Sequence, residues 1–379
     1  MRYSYKLFTV FGIEVRVHIS FLLIVAYFAY IWGVIQPPGG WGGALYGALL
    51  VIMLFAFVVI HELTHSRVAQ HYGIEVKGIT LLPIGGMAQM AEIPAEAKKE
   101  LAISVAGPLS NLVIAALMGV GSLFIDFGGI TNAEELGALL FSRTWQGTYM
   151  YLLLINIVLA LFNLLPAFPM DGGRVFRALL SLWMDRSRAT RVAMVVGQVM
   201  AILLGLWGLF GGGLLLLVIA VFIYFGASAE GRGEEVKSTL SDLRVSQAVN
   251  TKVEFARPTQ TIGELAARLF HIYQEDFPVI DEEGGLVGIL TRDALIRALG
   301  QHGTGYLVAE AMRREFPVAS PAEGVYEAFN KMRTENIKAM PVVEAGRFVG
   351  LVSMEDISEV YTLLSAAGPE LVRKVSNQR

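Results

Sequence analysis

Val51-Ile52-Met53-Leu54-Phe55-Ala56-Phe57-Val58-Val59-Ile60-His61-Glu62-Leu63-Thr64-His65 decides how the rest of this chain is read. The first ten residues are apolar without exception, and two histidines and a carboxylate follow with no break. Such a run belongs to a membrane helix. A charge near the centre of such a helix costs on the order of 2.5–3.5 kcal/mol, so a chain that keeps these groups there has something for them to bind. At 3.6 residues per turn, positions i and i+4 share one helix face. His61 and His65 can therefore bind one metal ion together, while Glu62 projects from a neighbouring sector, within reach of a water on that metal. Two imidazoles on zinc with a glutamate as general base is the zinc hydrolase arrangement. The bland alternative is a chance occurrence of the motif, and its place at the end of a membrane segment weighs against that.

The whole chain supports a membrane protein. Of its 379 residues 54% are hydrophobic and 17% charged, and the mean hydropathy of +0.55 is too high for an average soluble protein. The net charge of -3 gives no sign of a nucleic-acid partner. Cysteine is absent, which excludes disulfides and thiolate metal sites, so any metal must use His and carboxylate ligands. Six spans are expected, at approximately 19–36, 44–71, 101–125, 147–166, 191–209 and 212–227, the last two joined by Gly211-Gly212-Gly213 and readable as one broken helix. No cleaved signal peptide is read at Met1-Arg2-Tyr3-Ser4-Tyr5-Lys6, and residues 3–18 alternate weakly, as a hairpin turning near Phe11-Gly12-Ile13 would. The loops before the first span, between the second and third, and between the fourth and fifth hold Arg and Lys, whereas Arg143 stands almost alone on the other side. Positive loops stay inside, so both termini and the soluble half are expected in the cytoplasm, in a multi-pass protein of the cell membrane.

Lys77 to Met90 is apolar but broken by Pro83, Gly85 and Gly86. It reads as a hairpin dipping into the membrane, where an open strand edge must pair with something. A substrate strand could add to that edge; a structural plug over the site is the alternative.

Two histidines do not complete a zinc site, since catalytic zinc usually takes three protein ligands. After the fourth span comes Asn163-Leu164-Leu165-Pro166-Ala167-Phe168-Pro169-Met170-Asp171-Gly172-Gly173-Arg174. The prolines end the helix and leave Asp171 at the mouth of an apolar span, either as a metal ligand or as the N-cap of a helix starting near Gly172. Here the chain resembles the site-2 protease family of intramembrane zinc metalloproteases. The resemblance rests on His61-Glu62-Leu63-Thr64-His65, on Asn163-Leu164-Leu165-Pro166 with Pro169-Met170-Asp171-Gly172, and on Gly107-Pro108-Leu109-Ser110-Asn111 in the third span. It covers roughly residues 1–227. It implies a polytopic α-helical membrane domain, His61, His65 and Asp171 as ligands of one zinc ion, and Glu62 as catalytic base. It also implies that Asn163 contacts the substrate backbone or oxyanion, and that the substrates are membrane-spanning proteins within the lipid bilayer. His71 has the third-ligand spacing of soluble metzincins, but Val68 stands where that motif needs Gly to turn the chain back. It is read as an interfacial residue, as is His18.

Residues 228–240 are polar and contain glycine, and read as a linker. Beyond them lies an internal repeat: Phe277-Pro278-Val279-Ile280-Asp281 and Leu286–Asp293 in one copy, Met340-Pro341-Val342-Val343-Glu344 and Phe348–Asp356 in the other. Each copy has two short strands about a turn and then a helix. This resembles a tandem pair of cystathionine-beta-synthase (CBS) domains, soluble and α/β, placed at 241–300 and 301–365 with a tail at 366–379. The resemblance implies binding of an adenine nucleotide of the ATP or AMP type, with Ser353 on phosphate and Asp356 on ribose, or a homodimer formed through the pair. In the first copy Asp293 follows Thr291 one residue early, which puts that site in doubt.

The favoured reading is a zinc endopeptidase that cuts within or near membrane segments, gated by nucleotide on the CBS pair. A CBS-regulated transporter or channel would need polar residues spread along several spans, whereas they concentrate around one site. An inactive scaffold would have no use for the intact His, Glu and Asp set.

Overall fold

A computed structural model describes residues 3–90, 94, 96–269 and 274–367. The chain opens with the expected hairpin, β1 (Ser4–Val10) and β2 (Ile13–His18), in antiparallel register from Ser4 opposite His18 to Val10 opposite Ile13. Phe11 and Gly12 turn it with φ of 54° and 78°, the two positive values that match a two-residue turn to strand twist. The apolar run after it forms α1 (Phe21–Tyr30) and a π-helical turn, Ile31–Ile35. Pro37 and Pro38 stop it there, so this first expected span is shorter than the roughly 20 residues a crossing needs.

Among the described residues, five helices are long and apolar enough to cross a membrane. The first is α2 (Gly40–His71), whose 32 residues run about 48 Å at 1.5 Å per residue. Next come β3 (Val76–Leu82) and β4 (Gly85–Met90), the hairpin expected between Lys77 and Met90. β3 pairs in parallel with β2 and antiparallel with β4, so the four strands form one sheet in the order β1-β2-β3-β4 and β4 lies at its edge. Val51, Phe55 and Val59 of α2 pack with Ile13, Val15, Ile79 and Leu81 of that sheet. Alternate strand residues and every fourth helix residue thus share one core, and the sheet is fixed against the helix that carries the histidines.

Then follow α3 (Ala97–Ser122), which keeps Pro108 inside it, the short α4 (Ala133–Leu140) and α5 (Trp145–Asn163). α6 (Asp171–Leu180) follows the two prolines. α7 (Arg186–Trp207) and α8 (Leu214–Leu240) are separate helices divided by a π-helical turn, with Gly211 at φ 139° and Gly213 at φ 90°. The segment 228–240, expected as a linker, is the end of α8. Glycine in a helix is unfavourable by about 1 kcal/mol relative to alanine, but contacts override that here. Glu230 meets Arg177, and a Cβ on Gly231 would overlap Met194 Sδ.

The chain divides into units Met1–Arg232 and Gly233–Arg379. In the second, α9 (Ile262–Leu269) precedes the antiparallel pair β5 (Asp276–Ile280) and β6 (Leu286–Thr291), then α10 (Arg292–His302) and α11 (Val308–Ala311). The second copy repeats this as α12 (Val325–Glu335), β7 (Ala339–Glu344), β8 (Arg347–Ser353) and α13 (Met354–Ala367). Ala256 bridges Val279 in parallel, and Ala319 bridges Val342 likewise, so the copies match beyond their hairpins. Leu243, Val245 and Ala248, expected at the head of the first copy, pack in the core of the second with Val325, Met332 and Val352. Val308 and Met312, expected in the second, pack with Phe277 and Leu290 of the first. Beyond residue 367 the expected tail lies outside the described residues.

Candidate metal centre

One helical turn of α2 brings His61 and His65 together, with ring centroids 4.7 Å apart and both side chains buried. Each ring is held from behind by α3. His65 Nδ1 lies 2.6 Å from the carbonyl oxygen of Ile103, which can only accept, so Nδ1 carries the proton and donates it. His61 Nδ1 lies 2.8 Å from Asn111 Oδ1, and Asn111 Nδ2 donates to Asn156 Oδ1 on α5 at 3.1 Å. The Nε2 atoms of both rings face the other way.

Asp171 meets them there. Pro166 and Pro169 end the preceding helix, and α6 starts at Asp171 itself with Met170 as its N-cap. The alternative of Asp171 as N-cap therefore does not hold; it is an acidic residue in the first turn, where a helix dipole favours it. α6 is fixed by Arg177, whose side chain is 1% exposed. Its guanidinium pairs with the fully buried Glu100 of α3 and with Glu230 of α8 at 2.6 Å, and stacks over the Phe168 ring. Arg186 of α7 reaches the other oxygen of Glu100 at 2.6 Å.

His61 Nε2, His65 Nε2 and Asp171 Oδ2 form a triangle with all three edges 3.1 Å. Donors on a tetrahedral zinc with bonds of 2.0–2.1 Å are about 3.3 Å apart. Three lone-pair atoms facing one another at this distance repel unless a cation or proton lies between them. The space they face is shaped by Gly107, where a Cβ would overlap Nε2 of both histidines. These residues fit a zinc ion, and among the described residues they are the one His and carboxylate group close enough to hold a metal.

Glu62 stands beside this triangle. Among the described residues its carboxylate makes no hydrogen bond or ion pair, and Gly86 of β4 packs so closely that a Cβ would lie 2.5 Å from Glu62 Cγ. The edge strand therefore runs directly past the glutamate. Asn163, the last residue of α5, donates its amide to Leu159 O at 3.0 Å. His71 ends α2 exposed, its ring near Tyr72, while His18 Nδ1 lies 2.7 Å from Ser20 Oγ; neither joins the triangle.

In the second unit Ser353 and Asp356 come together, but on each other. Asp356 Oδ2 accepts from Ser353 Oγ at 2.6 Å and from Ser353 N at 2.9 Å, and Asp356 N donates back to Ser353 Oγ, a capping box at the start of α13. Both line a cavity of about 410 Å³ with Asn250, Lys252, Asp276 and Lys338. Burial, with the Glu275 charge beside it, pushes the Asp276 carboxyl up to about 6. Thr291 and Asp293, a pair that spacing alone left in doubt, line a second cavity of about 680 Å³ with Arg313 and Lys338. Sequence reasoning also missed Asn156, Glu100 and Arg177. The signal for Asn156 was available: an amide in the middle of an apolar span needs a partner.

The profile of peptidase family M50 matches residues 49–207, and that of the CBS domain matches residues 245–301 and 308–362. Zinc metalloprotease MJ0392 of Methanocaldococcus jannaschii is 33% identical over 365 residues, 96% of this chain and 98% of its own length. The solved site-2 protease from the same organism is 37% identical, with a TM-score of 0.44, over 60% of this chain and 95% of that one. The CBS domain pair of protein MJ0100, solved with 5'-methylthioadenosine and S-adenosyl-L-methionine, is 32% identical with a TM-score of 0.29, over 32% of this chain and 96% of that one.

Proposed function

The chain belongs to peptidase family M50, the zinc metalloproteases of the site-2 protease type, and from that premise we propose that it hydrolyses peptide bonds within or near the membrane-spanning segments of other proteins. The observation that carries this reading is the triangle of His61, His65 and Asp171, three donors from two distant stretches meeting at 3.1 Å among apolar helices. In the proposal these three hold the ion. Bound zinc supplies a Lewis acid that makes water a nucleophile near neutral pH and polarises the scissile carbonyl. Glu62, unpaired among the described residues, takes the proton from the attacking water at its carboxylate and passes it to the leaving amide nitrogen. Asn163 keeps one amide hydrogen beyond the one given to Leu159 O, and this is the proposed donor to the oxyanion. Substrate must leave its helical form first, because helical carbonyls are already hydrogen-bonded. The outer edge of β4, beside Glu62 and unpaired among the described residues, is the proposed place for the unwound segment to pair as a strand.

The excess of Lys and Arg in segments 2–16, 67–99 and 174–191 supports the proposal that these segments, and both termini, face the cytoplasmic side of the cell membrane. The cavity at Ser353 and Asp356 is the proposed seat of an adenine nucleotide, which couples to proteolysis by shifting the balance between two states of the enzyme.

The test is a cleavage assay with a membrane-spanning reporter reconstituted in liposomes. Glu62→Gln is expected to keep its zinc and lose cleavage by at least a hundredfold, and Asp171→Ala to lose both. Wild-type cleavage by Glu62→Gln removes the base from the proposal, and full zinc in Asp171→Ala removes the ligand.

A further inference from the structure

Whether His61 can bind a metal through Nε2 depends on which of its nitrogens carries the proton. Asn111 does not settle that by itself, because its amide faces His61 with either an acceptor oxygen or a donor nitrogen, two ends of the same size. If the nitrogen faced the ring, Nδ1 would have to accept, Nε2 would be protonated, and the ligand atom would be lost.

The chain of contacts beyond Asn111 removes the ambiguity. Asn156 lies within 2.8 Å of the carbonyl oxygen of Leu152, one turn back along α5. A backbone carbonyl only accepts, so the Asn156 nitrogen faces it and the Asn156 oxygen faces Asn111. That oxygen in turn requires the Asn111 nitrogen, at 3.1 Å. Asn111 must then present its oxygen to His61 Nδ1, at 2.8 Å. Asn111 and Asn156 are 1% and 0% exposed, so bulk solvent does not reach them to satisfy the opposite arrangement.

We propose that Asn156, which touches no metal ligand, is a positioning residue that sets the tautomer of His61 through Asn111. A fixed carbonyl on α5 thereby determines which lone pair His61 offers to the ion. His65 reaches the same state by a shorter route, directly from Ile103 O. One histidine is oriented by a backbone carbonyl and the other by a carbonyl read through two amides. The inference rests on His61 being a zinc ligand. Loss of a partner of this kind commonly lowers metal affinity by roughly 10–100-fold.

The experiment measures the zinc dissociation constant of the full chain in detergent by competition with a chelator. Asn156→Leu frees the Asn111 amide to turn over and is expected to weaken zinc about tenfold. Asn111→Asp added to that variant restores wild-type affinity, because a carboxylate only accepts and needs no partner to orient it. A packing defect would not be repaired by that second change, so failure of the rescue overturns the proposal, as does unchanged affinity in Asn156→Leu. Should the variants fold poorly, nitrogen NMR of zinc-free wild type with labelled histidine reads the tautomer directly. His61 is expected as the Nδ1–H form, and the Nε2–H form overturns the assignment. A wild-type chain that binds no zinc at all sinks the metal reading itself, a result distinct from any of these.

Discussion

Replacing Arg177 by alanine is expected to destabilise the first unit by about 3–5 kcal/mol, the range for removing one partner of a buried ion pair. The structure puts this position at the severe end. Arg177 and Glu100 have side-chain exposures of 1% and 0%. Arg177 gives Nε to Glu100 Oε1 at 3.0 Å, Nη2 to the same oxygen, and Nη1 to Glu230 at 2.6 Å, so all three guanidinium nitrogens are used. Without it, Arg186 is the one cation left on the buried Glu100 among the described residues. For 150–250 residues each kcal/mol shifts the melting temperature by roughly 2–4 °C, so the loss is on the order of 10 °C. All five tryptophans lie in the first unit, at 32, 41, 145, 183 and 207. Their fluorescence during heating in detergent therefore follows that unit alone. The companion is Arg177→Met with Glu100→Leu, which also removes the carboxylate left with half of its partners; Arg186 and Glu230, at 16% and 33% exposure, can still be hydrated. The double change is expected to be less damaging than Arg177→Ala alone. A melting temperature for Arg177→Ala within about 2 °C of wild type, or a double variant worse than the sum of its parts, would refute the reasoning.

Further expectations concern other sites. Gly107→Ala should leave the helix sound, since alanine is the better helix former by about 1 kcal/mol, yet abolish zinc retention measured by elemental analysis; full zinc would mean that the overlap is relieved by a small shift. Ser353→Ala removes the cap of α13 and should destabilise the second unit by about 1 kcal/mol in denaturant titration, as well as weaken AMP binding in equilibrium dialysis. For Asp276 the folded pKa of about 6 lies above the unfolded value of about 3.9. The folded state thus holds the proton more tightly, and stability is fully present below about pH 4 and falls as pH rises through about 6. Asp276→Asn should flatten that slope, read by denaturant titration at about pH 4.5 and about pH 7.5 with a probe on β5.

The parts of this molecule written in spacing are legible in the sequence itself. The four-residue step from His61 to His65, the apolar runs and the copy of Phe277–Asp281 in Met340–Glu344 are local patterns, and each element forms where its pattern lies. Asn163 to Asp171 is legible as a family motif, though its spacing does not say that Asp171 begins a helix. What resists reading depends on contacts between distant residues. The glycines at 231 and 233 argue for a linker because propensity is local, whereas Met194 and Arg177, which hold α8 together, lie far back along the chain, Arg177 53 residues before its partner Glu230. The exchange of Leu243, Val245 and Ala248 into the second copy's core escapes for the same reason. Glu100 can be seen as a charge near a span, but its partners lie 77 and 86 residues ahead.

The histidines sit in the last three turns of α2, six to ten residues before it ends, or about 9–15 Å. On the proposed function, a cut made alongside them would divide a captured segment unequally. The longer stub would stay dissolved in lipid, and the departing piece would carry only a short length of greasy chain. At roughly 0.3–0.6 kcal/mol per apolar residue, so short a remnant would be held in lipid only weakly. Liberation of the fragment would follow from scission alone, with no motor to haul it out.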